Sequence, residues 1–76
     1  MVFSSLGVDE VATVKLEEAL KKFPYDADTH NYLGILYFEQ KDFHKAEEKF
    51  KKALTLRPKD GEIYYNLGNL FKEKTT

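Results

Sequence analysis

The sequence matches itself without a gap when slid by 34 positions. Ala12 then falls on Ala46, Lys15 on Lys49, Ala19-Leu20 on Ala53-Leu54 and Pro24 on Pro58. Further on, Asp26 falls on Asp60, Leu33-Gly34 on Leu67-Gly68, Leu36 on Leu70 and Glu39 on Glu73. A period of this length holds one supersecondary unit, which cannot bury its apolar face alone and is stabilised by stacking on its neighbours. The residues within each period are helix formers, so the unit is a pair of helices. The expected fold class is therefore all-α, with four helices in antiparallel hairpins joined by short turns.

Each helix carries its own local signals. Val8, Val11, Ala12, Leu16, Ala19, Leu20 and Phe23 recur at helical spacing, with Asp9 as a candidate cap. Ser4, Ser5 and Gly7 before them read as a fraying segment and a turn. Pro24 ends this first helix, because the residue before a proline is pushed out of the α region. Asp26 caps a second helix, about 27–40, carrying Leu33, Leu36 and Tyr37 around Gly34. A mid-helix glycine costs about 1 kcal/mol against alanine, so Gly34 reads as a place of close helix approach, with Ala46 expected opposite it. Lys41-Asp42 makes a turn into a third helix, about 43–56, that buries Phe43, Ala46, Phe50, Ala53 and Leu54. Pro58 follows its end. Asp60 caps a fourth helix, about 61–74, with Tyr64, Leu67, Leu70 and Phe71 on its apolar stripe. Glu17 with Lys21, Glu18 with Lys22, Glu47 with Lys51 and Glu48 with Lys52 place acid before base at i,i+4 on the wet faces.

The middle of the chain reads His30-x-x-Leu33-Gly34-x-x-Tyr37, then Ala46-x-x-x-Phe50-x-x-Ala53, then Pro58. This pattern resembles the tetratricopeptide repeat, with His30 standing where the family has its first large aromatic. The resemblance covers nearly the whole chain in an unusual phase. Residues 8–23 look like the second helix of one repeat, 27–60 like a complete repeat, and 61–74 like the first helix of another, all in a single domain. Phe3 falls one period before Tyr37, so the first few residues also read as the last turn of a preceding helix. The phase implies a piece of a longer array, whether excised or naturally truncated.

The family resemblance further implies a short right-handed solenoid whose function is protein–protein interaction. In such proteins the first helices of successive repeats line a concave groove that receives a partner peptide. Carried over by position, the groove residues are Asp28, Asn31, Ile35, Phe38 and Glu39, with Glu62, Tyr65, Asn66, Asn69 and Lys72. Asn66 and Asn69 match residues that the family often uses to hydrogen-bond a peptide backbone, whereas Tyr32 and Ile35 depart from that pattern. The clamp of two lysines and an arginine that some members place around a terminal carboxylate is not present. The chain ends carry complementary stripes, Ala12, Leu16 and Ala19 on one side and Tyr64, Leu67 and Phe71 on the other. They imply end-to-end self-association, the alternatives being a fourth helix that merely caps the array and residues 1–6 folded over the first helix. A structural building block with no ligand site of its own is the competing functional reading.

Composition narrows the remaining classes. With 42% hydrophobic and 33% charged residues the chain has the make-up of a folding domain, far from that of a disordered one. A formal net charge of −1 with interspersed signs offers phosphate backbones no basic footprint, so nucleic acid is not an expected partner. No apolar run reaches the roughly 20 residues that span a bilayer. The absence of cysteine excludes thiol chemistry and disulfides and fits a reducing, cytoplasmic setting. His30 and His44 are the only histidines; His30 reads as a packing residue and His44 as a solvated one beside Glu47 and Glu48. Asp26-x-Asp28-x-His30 lacks the turn glycine of a calcium loop and has Tyr37 where the bidentate glutamate belongs. With no phosphate loop, nucleophile elbow or carboxylate pair, no cofactor, metal or enzymatic activity is expected.

Overall fold

The computed structural model describes the backbone of residues 2–75 and the side-chain surroundings of residues 10–75. Four helices follow one another: α1 Val2–Lys22, α2 Ala27–Glu39, α3 Phe43–Leu56 and α4 Gly61–Thr75. The connections are short, so each helix turns back beside its predecessor. Packing runs α1 on α2, α2 on α3 and α3 on α4, with a lighter contact of α2 on α4. The molecule measures 39 × 36 × 17 Å, the slab expected of stacked hairpins.

The caps of α2 and α4 lie where the local sequence puts them. Asp26 accepts from the Thr29 backbone N–H at 3.4 Å and from the Thr29 hydroxyl at 3.0 Å, and Asp60 accepts from the Glu62 N–H at 3.0 Å. Asp42 does more than turn the chain, because it caps α3 through the Lys45 N–H at 3.4 Å. Lys41 before it closes α2. Its N–H donates to the Phe38 carbonyl at 3.0 Å, while the Asp42 N–H donates to the Tyr37 carbonyl at 2.9 Å. This pairing requires the left-handed backbone that Lys41 adopts, with φ 65°. A side chain in that region is strained, so Lys41→Gly should stabilise the chain by roughly 0.5–1 kcal/mol in urea denaturation.

The core sits where α3 faces α2 and α4. Leu33, Ala46, Phe50, Ala53, Ile63 and Leu70 are almost wholly buried, joined by Leu20 and Tyr37 and flanked by Leu16, Phe43, Leu54 and Leu67. Gly34 is buried as expected, but its close neighbour is the Phe50 ring: a Cβ at position 34 would lie 2.5 Å from Phe50 Cε1. His30 is also buried, and its Nε2–H donates to the Pro24 carbonyl at 2.9 Å, tying α2 to the turn before it. His44 is solvated, 3.5 Å from Glu48.

Several sequence expectations are corrected. α1 begins at Val2 and runs through Gly7 without a turn, so Asp9 lies inside a helix rather than at its cap, and residues 2–6 extend α1 instead of folding over it. The price of one glycine and two serines is small beside cooperative helix propagation. Side-chain expectations attached to Phe3, Val8 and Asp9 lie outside the described residues. On α1 the buried stripe is rotated: Thr13 is buried while Val11 and Phe23 are exposed, Phe23 by 65%. Thr13 tolerates burial because its hydroxyl accepts from Gln40 Nε2 at 3.0 Å. On α4 the buried residues are Ile63 and Leu70, and Tyr64 and Phe71 face outward.

A polar hub joins three helices. Tyr37 Oη donates to one Glu17 oxygen at 2.6 Å and Lys49 Nζ to the other at 3.0 Å. Partial burial pushes the Glu17 carboxyl up, but the hydrogen bonds from Tyr37 and Lys49 outweigh it and hold the group below its ordinary 4.5. Burial and the bond to Glu17 raise the Tyr37 phenol in turn. At the surface, Lys51 and Lys74 each reach Glu47 at 2.8 Å and lower its carboxyl to about 2. Both carboxyls bind protons less readily folded than unfolded. The stability they contribute is complete well above pH 4.5 and is lost as pH falls below it, the Glu47 share last, as pH approaches about 2. The urea midpoint should decline across that window, and Glu17→Gln should flatten part of the decline. Salt should shrink the Glu47 share more than that of Glu17, because the lysines that pair with Glu47 are well exposed whereas Lys49 is mostly covered.

Candidate functional site

α2 and α4 run side by side, bridged by Asn66 Nδ2 donating to Asn31 Oδ1 at 3.1 Å. Beside this bridge lies a cleft of about 220 Å³. Helical spacing builds its walls: Ile35, Phe38 and Glu39 share one face of α2, and Asn66 and Asn69 share one face of α4. Phe50 of α3 completes the lining. Its ring gains that place because Gly34 has no side chain to hold α3 away. The Phe38 ring packs on Phe43, centroids 5.7 Å apart, which fixes one apolar wall. The result is an apolar pocket between two side-chain amides and one exposed carboxylate, Glu39.

Of the groove positions inferred from sequence, Ile35, Phe38, Glu39, Asn66 and Asn69 line this one cleft, and Asn31 adjoins it through Asn66. Tyr65 stands outside the lining, 70% exposed, and so does exposed Lys72. Asp28 is held at the start of α2 by the Arg57 guanidinium, with contacts of 2.7 and 3.4 Å. Glu62 is exposed. Sequence reasoning placed Phe50 in the core alone; the glycine one turn from Phe38 was the available signal that its ring reaches the cleft. At the ends, Ala12, Leu16 and Ala19 are half-buried on α1, while on α4 Leu67 is half-buried and Tyr64 and Phe71 are 55% and 43% exposed. Among the described residues, no three metal-ligating side chains gather, and no helix is long and apolar enough to cross a membrane.

Hairpins stacked so that alternate helices share a cleft define a helical-repeat scaffold, a class that presents a surface to other proteins. The profile of the tetratricopeptide repeat matches residues 27–60, from the first residue of α2 to the cap of α4, and these residues are a tetratricopeptide repeat. Repeats of this family mediate protein–protein interactions. The chain is 33% identical over 60 residues to the human superkiller complex protein 3, which spans 79% of this chain and 4% of that protein. It is 40% identical over 43 residues to the peroxisomal targeting signal receptor of Candida albicans, spanning 57% of this chain and 7% of the receptor. With the CTR9 homolog of Arabidopsis thaliana it shares 31% identity over 71 residues, 93% of this chain and 6% of that protein. The chain thus corresponds to a small part of each of these relatives.

Proposed function

We propose that the chain is a peptide-receiving module, with the α2–α4 cleft as its binding site. The observation that carries this reading is the juxtaposition of Ile35, Phe38 and Phe50 with the amides of Asn66 and Asn69. An apolar pocket takes one side chain of an extended segment, and the amides pair with its backbone, which is the division of labour expected of a small binding site. Glu39, the charged group in the lining, favours a segment with lysine or arginine next to its apolar anchor. A relative named as the receptor of a targeting signal is consistent with a site for short segments.

The test is selection from a library of random peptides displayed on phage, followed by amide chemical-shift mapping of the selected peptide. Expected are shifts at Ile35, Phe38 and both asparagine side chains, and at least a tenfold loss of affinity on Phe38→Ala, which removes a buried aromatic anchor. Affinity should change little with salt, because apolar burial dominates. Shifts confined to Tyr65 and the outer face of α4, or binding untouched by Phe38→Ala, would place the site elsewhere.

A further inference from the structure

The two outer helices carry faces that the chain itself shows how to cover. Moved by the 34-residue period, Leu33-Gly34 and Tyr37 of α2 become Leu67-Gly68 and Phe71 of α4. By the same shift Ala46, Phe50 and Ala53 of α3 become Ala12, Leu16 and Ala19 of α1. Within the chain α2 and α3 form the most heavily packed helix pair, and there Leu33, Ala46, Phe50 and Ala53 are wholly buried, with Gly34 closed over by the Phe50 ring. Their counterparts are less covered, with Leu16 and Leu67 only half-buried at the edge of the core. Among the described residues nothing lies within 4 Å of the Cβ position of Gly68, Phe71 is exposed, and Ala12, Leu16 and Ala19 are half-buried.

We propose that α4 of one copy of this chain takes α1 of a second copy, in the register by which α2 takes α3. Leu16 of the incoming copy then lies over Gly68 as Phe50 lies over Gly34, and Ala12 and Ala19 flank it. The pairing is large against small. Two α4 faces would oppose Tyr64 and Phe71 to themselves, and two α1 faces would leave alanines unfilled, so the complementary contact is α4 with α1. Phe23 supports the same register. It occupies the position of Arg57, which reaches the start of α2, so in the joint its exposed ring would settle against the start of α4. Such a contact is heterologous: a joined pair retains one uncovered α4 face and one uncovered α1 face, so assembly of this 76-residue chain continues the 34-residue stack from copy to copy.

The test uses the 76-residue chain and two variants in sedimentation equilibrium. Gly68→Leu occupies open space in a single copy but blocks the joint, and Ala19→Glu places a charge in it while sitting on the outer surface of α1 beside Lys15, Glu18 and Lys22. Far-UV circular dichroism establishes that each is folded, with Gly68→Gln in reserve. The parent mass should rise between about 10 μM and about 1 mM, as assembly by mass action requires. Each variant alone should stay at monomer mass. Their equimolar mixture should recover a dimer, because Gly68→Leu retains a sound α1 and Ala19→Glu a sound α4. A parent that stays monomeric at the highest concentration, a Gly68→Leu variant that associates like the parent, or a mixture that remains monomeric each overturns the proposal.

Discussion

Gly34→Ala should destabilise the chain by about 1–3 kcal/mol, although alanine is the better helix former by about 1 kcal/mol. The added Cβ would lie 2.5 and 2.6 Å from two carbons of the Phe50 ring. That ring is 1% exposed and belongs to the same core cluster as Leu33, Ala46 and Ala53, so moving it off the new Cβ, even toward the cleft it lines, gives up close-packed contacts. The steric term therefore outweighs the propensity gain. Gly68→Ala supplies the control, because it makes the same substitution at the equivalent repeat position with nothing within 4 Å among the described residues. There propensity acts alone, and the variant should gain up to about 1 kcal/mol. Urea denaturation of both at low micromolar concentration separates the two effects. If both glycines respond alike, the α2–α3 packing described above is wrong.

Phe50→Ala should have the larger effect, a loss of about 3–5 kcal/mol. Small domains are stable by only about 5–15 kcal/mol in total, and a chain this short belongs at the low end of that range, so the variant should be largely unfolded by 37 °C. The ring fills the space that Gly34 leaves and meets helices on both sides, and deleting it opens a cavity that α2 and α3 close only in part. Because both residues share one contact, their effects should not add. In a Phe50→Leu background the penalty of Gly34→Ala should shrink, with a coupling of about 0.5–3 kcal/mol in the double-mutant cycle. Full additivity would show that the two side-chain positions do not meet. Phe50→Leu also tests the cleft, since it alters one lining residue of the pocket while leaving Asn66 and Asn69 in place.

The period of the chain, its four helices and most of their limits follow from the sequence alone. Pro24 and Pro58, the caps Asp26 and Asp60, and the buried pair Leu33-Gly34 act within a turn or so of their own positions, and short-range signals of that kind are legible without a fold. Helical spacing alone puts Ile35, Phe38 and Glu39 on one face wherever the helix is placed, but the choice of that face as a groove came from the family resemblance, and its cleft exists only because α4 packs beside α2. What only the tertiary structure decided is how far each stripe is turned. Adjacent residues on a helix differ by about 100°, so turning the buried stripe by roughly one residue puts Ile63 in the core in place of Tyr64, and a similar turn of α1 moves Val11 off one edge of its stripe as Thr13 enters at the other. Long-range partners were equally out of reach. Glu17 meets Tyr37 and Lys49 across 20 and 32 residues, and nothing in an i,i+4 reading that pairs Glu17 with Lys21 points to them. The aromatic ring of Phe50 enters the cleft by the same logic: its burial follows from its spacing, but its neighbours follow from where α2 leaves a gap at Gly34.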